Sequence, residues 1–353
     1  MRARVAVVGG GIFGSTAAIW LARQGANVTL FEQNPDILSA ASGINQYRLH
    51  RGYHYPRSFD TVLGCRSSEE SFRQEYGPAV LDCFNHYFAV SRRDSLVSAD
   101  AYLKFLLEAQ LEFEVVTPDF LNGDALDLCV RVRESVFDPN ILRALVWEGL
   151  RSSGVQVRLG HRASAEEVKE YDFVVLATYA RMNDLLHELG EPTRQYQFEV
   201  CEKIVIKAPE HLKDKSIVIV DGPFTCIDPL GRSGLSVMGH VVHAIHHDNV
   251  GLRPIVPDYL QPYLNAGLIR SPPRSHGSLF LEAGREFFRD SDSIQHIGSM
   301  FTVRTVLPEM GHTDGRPTLV HRSSPRVVTV FSGKIGTCVA AAKQVVEIIM
   351  QGK

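Results

Sequence analysis

The chain has 353 residues, long enough to bury the cores of two domains. Its 44% hydrophobic and 22% charged residues are ordinary for a globular protein, and a net charge of -3 with an isoelectric point near 6.5 gives no basic footprint for nucleic acid or an anionic membrane. The six cysteines lack CxxC spacing, which argues against a disulfide framework or a zinc site and fits a reducing cytoplasm.

Val5 to Val8 is continuously apolar, as in a parallel strand buried on both faces. Gly9-Gly10-Gly11 cuts this run too early for a secretory segment, and no later stretch approaches the roughly 20 apolar residues of a membrane span. Ser15 to Gln24 reads as a helix with Ala17, Ala18, Leu21 and Ala22 on one face, stopped by Gly25. Val28 to Phe31 is the next strand, closed by Glu32, which completes a βαβ unit. Residues 34–58 show no period and read as a long ordered loop, followed by a helix from Phe59 to Tyr76. Residues 80–130 mix short strands with a helix over Ala99 to Glu112.

Asp138-Pro139 is an N-cap followed by proline at the first helical position, and Ile141, Leu142, Leu145, Val146 and Leu150 form the apolar stripe behind it. Strands over Val155 to Leu159 and Phe173 to Ala177 return to the parallel sheet. Residues 197–300 alternate, as in Lys203 to Lys207 and Ser216 to Val220, and predict an antiparallel sheet. Val327 to Phe331 is a last apolar strand and Thr337 to Met350 a closing helix. The expected division is one α/β unit from residues 1–79, 130–190 and 302–353, and a second from 80–129 and 191–301.

Gly9, Gly11 and Gly14 form G-x-G-x-x-G between a strand and a helix, and Glu32 follows Gly11 by 21 positions. The glycines allow a tight turn, approach of a pyrophosphate to the backbone and close packing of helix on strand, while the acid accepts ribose hydroxyls. Phe331-Ser332-Gly333-Lys334-Ile335-Gly336-Thr337 repeats glycines between an apolar strand and a helix at the other end of the chain. A second helix N-terminus there suits the far end of an elongated cofactor, where backbone N–H groups stabilise negative charge on a reduced flavin. The missing helix and strand after Glu32 also disfavour a simple NAD half, so FAD is the expected cofactor. A nicotinamide-linked dehydrogenase and a flavin-binding protein without turnover are the alternatives.

Four blocks resemble the superfamily of FAD enzymes that holds D-amino acid oxidase and glycerol-3-phosphate dehydrogenase. They are Val7 to Gly14 with Glu32, Ala41 to Pro56, Phe137-Asp138-Pro139 with Val174 to Ala177, and Phe301-Thr302-Val303-Arg304 with Phe331 to Lys334. The resemblance implies a glutathione-reductase-like FAD-binding Rossmann domain and a second α+β substrate domain on an antiparallel sheet. It also implies hydride removal from a carbon bearing an amine or hydroxyl in a small polar, anionic substrate. Cofactor contacts are then expected at Gly9, Gly11, Ile12, Phe13, Gly14, Glu32, Gln33, Ser42, Gly43, Asn45, Gln46, Arg48, Ala177, Gly333, Lys334, Ile335, Gly336 and Thr337. Where many members have Ala-x-Gly after the third-block strand, this chain has Ala177-Thr178-Tyr179, and the usual meander shrinks to Gly160 to Tyr171.

His50-Arg51-Gly52-Tyr53-His54-Tyr55 is similar to the His-Gly-Gly-x-Arg-Tyr of glycerol-3-phosphate dehydrogenases, with His54 where their substrate-binding Arg stands. His50, Gly52, Tyr55 and Pro56 also fit the His-x-Gly-x-Tyr-Tyr-Pro of hydroxyglutarate oxidases. His50 and His54 are the expected bases, on one face with Gly52 if the segment is extended, with Tyr53 and Tyr55 walling the site. Arg304 matches the family's Arg that clamps a carboxylate or phosphate. His240, His243, His246 and His247 have no carboxylate or thiol complement in sequence, so no metal site is expected, and the substrate's identity and the electron acceptor are not encoded in these patterns.

Overall fold

The computed structural model describes residues 2–308, 310 and 315–350, and among them the strands form three sheets. The first has six strands in the order Thr318–Arg322, Val327–Ser332, Phe173–Leu176, Arg4–Val8, Asn27–Phe31 and Gln156–Arg158. Its pairs are parallel except the first, an antiparallel hairpin. Alternation explains the apolar run in Arg4–Val8. Val5 and Val7 face a core shared with the helices Ile12–Arg23, Pro139–Ser152 and Cys338–Met350, while Ala6 and Val8 face the core holding Met182, Leu185 and Leu186.

The second sheet runs Ile245–Gly251, Tyr196–Lys207, Ser236–His240, Thr225–Pro229, Lys215–Val220, Asn85–Ser91, Leu126–Val132 and Phe113–Val115, with Gln295–Val306 also pairing with Tyr196–Lys207. It differs from the expected antiparallel sheet at one place: Lys215–Val220 lies parallel to Asn85–Ser91. No hairpin joins those two strands, so nothing forces the antiparallel sense. A third, small sheet places Arg48–Leu49 and Val80–Leu81 on either side of Ser135–Phe137, anchoring the loop of residues 34–58 between the larger sheets.

Helix Phe59–Tyr76 has the expected bounds, but the next stops at Glu108, short of the expected Glu112. Gln110 takes φ +52 there and turns the chain into strand Phe113–Val115. Asp138 caps its helix with Oδ1, which accepts from Asn140 N at 2.9 Å and Ile141 N at 3.1 Å. Its Oδ2 accepts from Arg232 N at 3.0 Å, tying that helix to a hairpin of the large sheet. No helix among the described residues is long and apolar enough to cross a membrane.

Candidate active site

A cavity of about 1000 Å³ lies between the two large sheets, and both ends of the chain line it. Gly9, Gly11 and Phe13 contribute from the first turn, Glu32 and Gln33 from the second strand, and Gly333, Lys334 and Ile335 from the last turn. Ser42, Asn45, Gln46, Arg48 and Ala177 complete that part of the wall. Gly9 has φ +107, and a Cβ there would lie 2.5 Å from the Ala177 carbonyl oxygen. A Cβ on Gly14 would meet the Gly9 carbonyl oxygen at 1.9 Å, so a side chain would force the helix away from the turn. Of the first-turn backbone groups, Ile12 N–H donates to Ser42 Oγ at 3.0 Å.

The Glu32 carboxylate accepts from Gly10 N at 2.7 Å, Asn34 N at 2.8 Å and Asn34 Nδ2 at 2.6 Å. Glu32 lines the cavity, and one acceptor site on its Oε2 is left for a ribose hydroxyl. Ile12, Gly14, Gly43, Gly336 and Thr337 lie behind the wall rather than on it. Thr337 spends its hydroxyl on the framework, donating to Lys334 O at 2.8 Å and meeting Thr318 Oγ1 at 2.7 Å. Lys334 N donates to Ser332 Oγ at 3.1 Å, so the last turn is braced from inside.

Residues 50–55 turn instead of extending, with Tyr55 N donating to Gly52 O at 2.9 Å. Gly52 packs against the following helix instead of opening toward a ligand as an extended segment would: Val62 Cγ1 lies 2.6 Å from where its Cβ would stand. The turn still brings His50 and His54 together, with ring centroids 6.0 Å apart, both on the cavity wall beside Tyr55. Tyr53 corrects the expectation that it walls the site: it is buried off the cavity, and its hydroxyl donates to Glu112 O at 2.7 Å. Burial, helped by Lys334 and Arg48, drives the pKa of His50 well below the ordinary value; burial, Arg48 and Lys334 do the same for His54. Both rings are therefore neutral at physiological pH and able to accept a proton. Lys334 is lowered too, first by burial and then by Arg48, and its Nζ sits 4.1 Å from the centre of the Tyr55 ring.

The opposite wall comes from the large sheet. Cys201 and Lys203, two apart on strand Tyr196–Lys207, point into the cavity with Cys226 and Thr302. Arg48 is buried with its Nε 3.4 Å from Asp228 Oδ1, and Asp228 also accepts from Ser216 Oγ at 2.6 Å. Burial works against the Arg48 charge, and Asp228 with smaller help from Cys226 and Glu134 outweighs it. Arg304 reaches the cavity, but its Nε and Nη2 both donate to Glu199 Oε2 across the strand pair, so its fork is matched within the protein. Sequence reading missed Lys203, Glu199, Asp228 and Glu134. The alternation of Glu199, Cys201 and Lys203 was a usable signal for a polar strand face; the partners of Arg48 and His50 come from distant segments and left none.

The chain matches the FAD dependent oxidoreductase family, designated DAO, over residues 4–227. It belongs to that family. This flavoenzyme is 25% identical over 361 residues to an FAD-dependent monooxygenase of Fusarium mangiferae, covering 97% of this chain and 90% of the relative. It is 29% identical over 248 residues to the monooxygenase kojA of Aspergillus flavus, covering 64% of this chain and 58% of the relative. Glycine oxidase from Geobacillus kaustophilus shares the fold at a TM-score of 0.73 and 14% identity, over 99% of this chain and 95% of that one. L-alpha-glycerophosphate oxidase from Mycoplasma pneumoniae, solved with FAD bound, does so at 0.74 and 12%, over 99% and 95%. The flavoenzyme thus has the α/β architecture of the D-amino acid oxidase superfamily, and its cofactor is FAD.

The residues on the wall fit that group. Gln46 Nε2 and Oε1, Thr178 Oγ1 and His54 Nδ1 are buried without a hydrogen bond to protein, and all four atoms belong to cavity-lining residues. In the flavoenzyme the four clustered histidines do not form one site. His240 stacks on His243 at 4.1 Å, while His246 bonds Glu202 Oε2 at 2.8 Å and stacks on His276 at 3.7 Å. Glu202, His246 and His276 bring three ligand-type groups together. With the two rings stacked at 3.7 Å and only 13° from parallel, their planes meet only far from both rings, and imidazole lone pairs are directed in those planes. Glu202 is already bonded to Ser275 and to the His276 backbone as well, so the trio reads as a structural hydrogen-bond cluster.

Proposed function

We propose that this flavoenzyme removes hydride from a carbon bearing an amine or hydroxyl in a small, polar, anionic metabolite. The observation that carries the proposal is that two neutral histidines, His50 and His54, line one cavity with two lysines, Lys203 and Lys334, that form no carboxylate pair among the described residues. The cofactor would be held by Gly9, Gly11, Phe13, Glu32, Gln33, Ser42, Asn45, Gln46, Arg48, Ala177, Gly333, Lys334 and Ile335, in a unit of residues 1–79, 130–190 and 302–353. Residues 80–129 and 191–301 would supply the substrate side, joined by the end of strand Gln295–Val306. Bound FAD supplies the hydride acceptor, so no protein nucleophile is needed.

The chain's own groups divide the remaining tasks. His50 or His54 accepts the amine or hydroxyl proton at its ring nitrogen. Lys334, with the N-terminal backbone of the last helix, favours negative charge beside the last turn. Lys203 carries the larger share of substrate-anion binding, because Glu199 already neutralises Arg304. Arg48, fixed by Asp228, holds the histidine loop against the sheet. The free cysteines Cys65, Cys83, Cys129, Cys201, Cys226 and Cys338 suit a reducing compartment such as the cytoplasm.

The names of the fungal relatives favour a second reading, oxygen insertion after reduction by a nicotinamide. Anaerobic mixing of the purified yellow protein with amino acids, hydroxy acids, amino sugars and sugar phosphates separates the two. Bleaching by one of these compounds alone supports hydride removal. Bleaching only by NADH or NADPH, with an oxygenated product in air, supports the second reading.

A further inference from the structure

We propose that Glu134 is the positioning residue for His50: it holds the ring hydrogen on Nδ1, leaving the Nε2 lone pair for the cavity that His50 lines. The proposal rests on the reading of His50 as a base. Glu134 stands in the short connection between strands Leu126–Val132 and Ser135–Phe137, and its side chain is wholly shielded from solvent. Arg51 N donates to Glu134 Oε1 at 3.0 Å, and His50 Nδ1 lies 3.6 Å from the same oxygen. That separation is longer than a hydrogen bond, as catalytic contacts often are before substrate binds. His50 Nδ1 and Glu134 Oε2 are both buried without a hydrogen-bond partner, and Glu134 Oε1 is the carboxylate oxygen beside that ring nitrogen.

The Arg51 side chain is fixed without this carboxyl, which takes only the Arg51 backbone N–H. Arg51 is already held by Glu69 at 2.6 Å and by the Arg133 carbonyl at 3.2 Å. Burying a carboxyl costs free energy that only partner groups offset, and although Arg48 and the Arg51 N–H do so in part, burial raises its pKa to about 7. The surroundings of His50 are otherwise cationic or neutral: Lys334, Arg48, His54 and His86 all oppose its protonation. Glu134 is the acid beside the ring. When a substrate O–H or N–H bond breaks and Nε2–H forms, the ring becomes cationic and Glu134 stands on its far side to meet that charge. This is the logic by which a carboxylate sets the tautomer of a working histidine.

Two-bond proton–nitrogen NMR of ¹⁵N-histidine-labelled, flavin-loaded protein reads the tautomer directly, with the His50 signals identified by their loss in His50→Asn. The expected result is the Nδ1–H tautomer in the wild type, retained in Glu134→Gln, whose amide oxygen still accepts, and shifted towards Nε2–H in Glu134→Met. An Nε2–H tautomer in the wild type, or one unchanged by Glu134→Met, overturns the proposal. If Glu134→Met does not fold, Glu134→Asp, which withdraws the acceptor by one methylene, must show the same shift in smaller measure. Glu134→Gln is also expected to slow anaerobic flavin reduction about 10- to 100-fold with flavin retention unchanged. His50→Asn reducing flavin at the wild-type rate defeats the base reading instead, and leaves the tautomer result standing.

Discussion

Gly14 shows how a single position holds the cofactor turn. Its missing side chain lets the first helix start against the Gly9 carbonyl, where a methyl group would sit at 1.9 Å. Gly14→Ala should lower stability by about 1–3 kcal/mol, the range of an overpacked site, and reduce the flavin retained through purification. Urea midpoints and the visible absorbance of the purified variant measure both effects; unchanged values would show that the helix tolerates displacement. His86 governs acid stability. Burial, then Arg48, hold its pKa near 3, opposed by Asp82, whereas an unfolded histidine titrates near 6.5. Between those values the unfolded chain binds the extra proton, so stability rises with pH and is lost as pH falls through that window. At pH 5 the loss from His86 alone is about 2 kcal/mol. His86→Leu should therefore show a smaller difference in unfolding free energy between pH 7.5 and pH 5 than the wild type, by about that amount. An equal difference would contradict the assignment.

Tyr179 marks a residue-level departure that sequence could flag but not explain. It occupies the place of a family glycine and takes φ +50. Its hydroxyl donates to Thr305 O at 2.7 Å and accepts from Thr305 N at 3.0 Å, while its ring stacks on Phe331. Those contacts across two sheets compensate for the left-handed backbone, and no local pattern announces them.

At the scale of elements, legibility followed locality. Strand Arg4–Val8, helix Pro139–Ser152 and helix Cys338–Met350 were readable because runs, caps and stripes are set by neighbouring residues. The end of helix Ala99–Glu108 and the parallel pairing of Lys215–Val220 depend on tertiary contacts and were not. Asp138 belongs to both classes: its capping role is local, but its bond to Arg232 N crosses to the large sheet. Asp138→Ala should cost about 2 kcal/mol, and Asp138→Ser, which keeps the cap but not the crossing bond, about half of that. Equal costs in urea unfolding would show that the crossing bond contributes everything.

Across the whole molecule, the site is made by two sheets and two chain ends closing on one cavity. The glycine turns were legible as motifs because their chemistry sits in consecutive residues. Tyr53 pointing away, Arg304 paired with Glu199, and Glu134 beneath His50 are consequences of strand register and packing, which one sequence leaves open. The central claim is that Gly9–Gly11 and Gly333–Lys334 grip opposite parts of one cofactor. A crystal structure of the FAD-loaded protein tests it: the account predicts pyrophosphate on the first turn and the isoalloxazine edge against the second. A flavin touching only one of the turns, or lying outside their shared cavity, would contradict it.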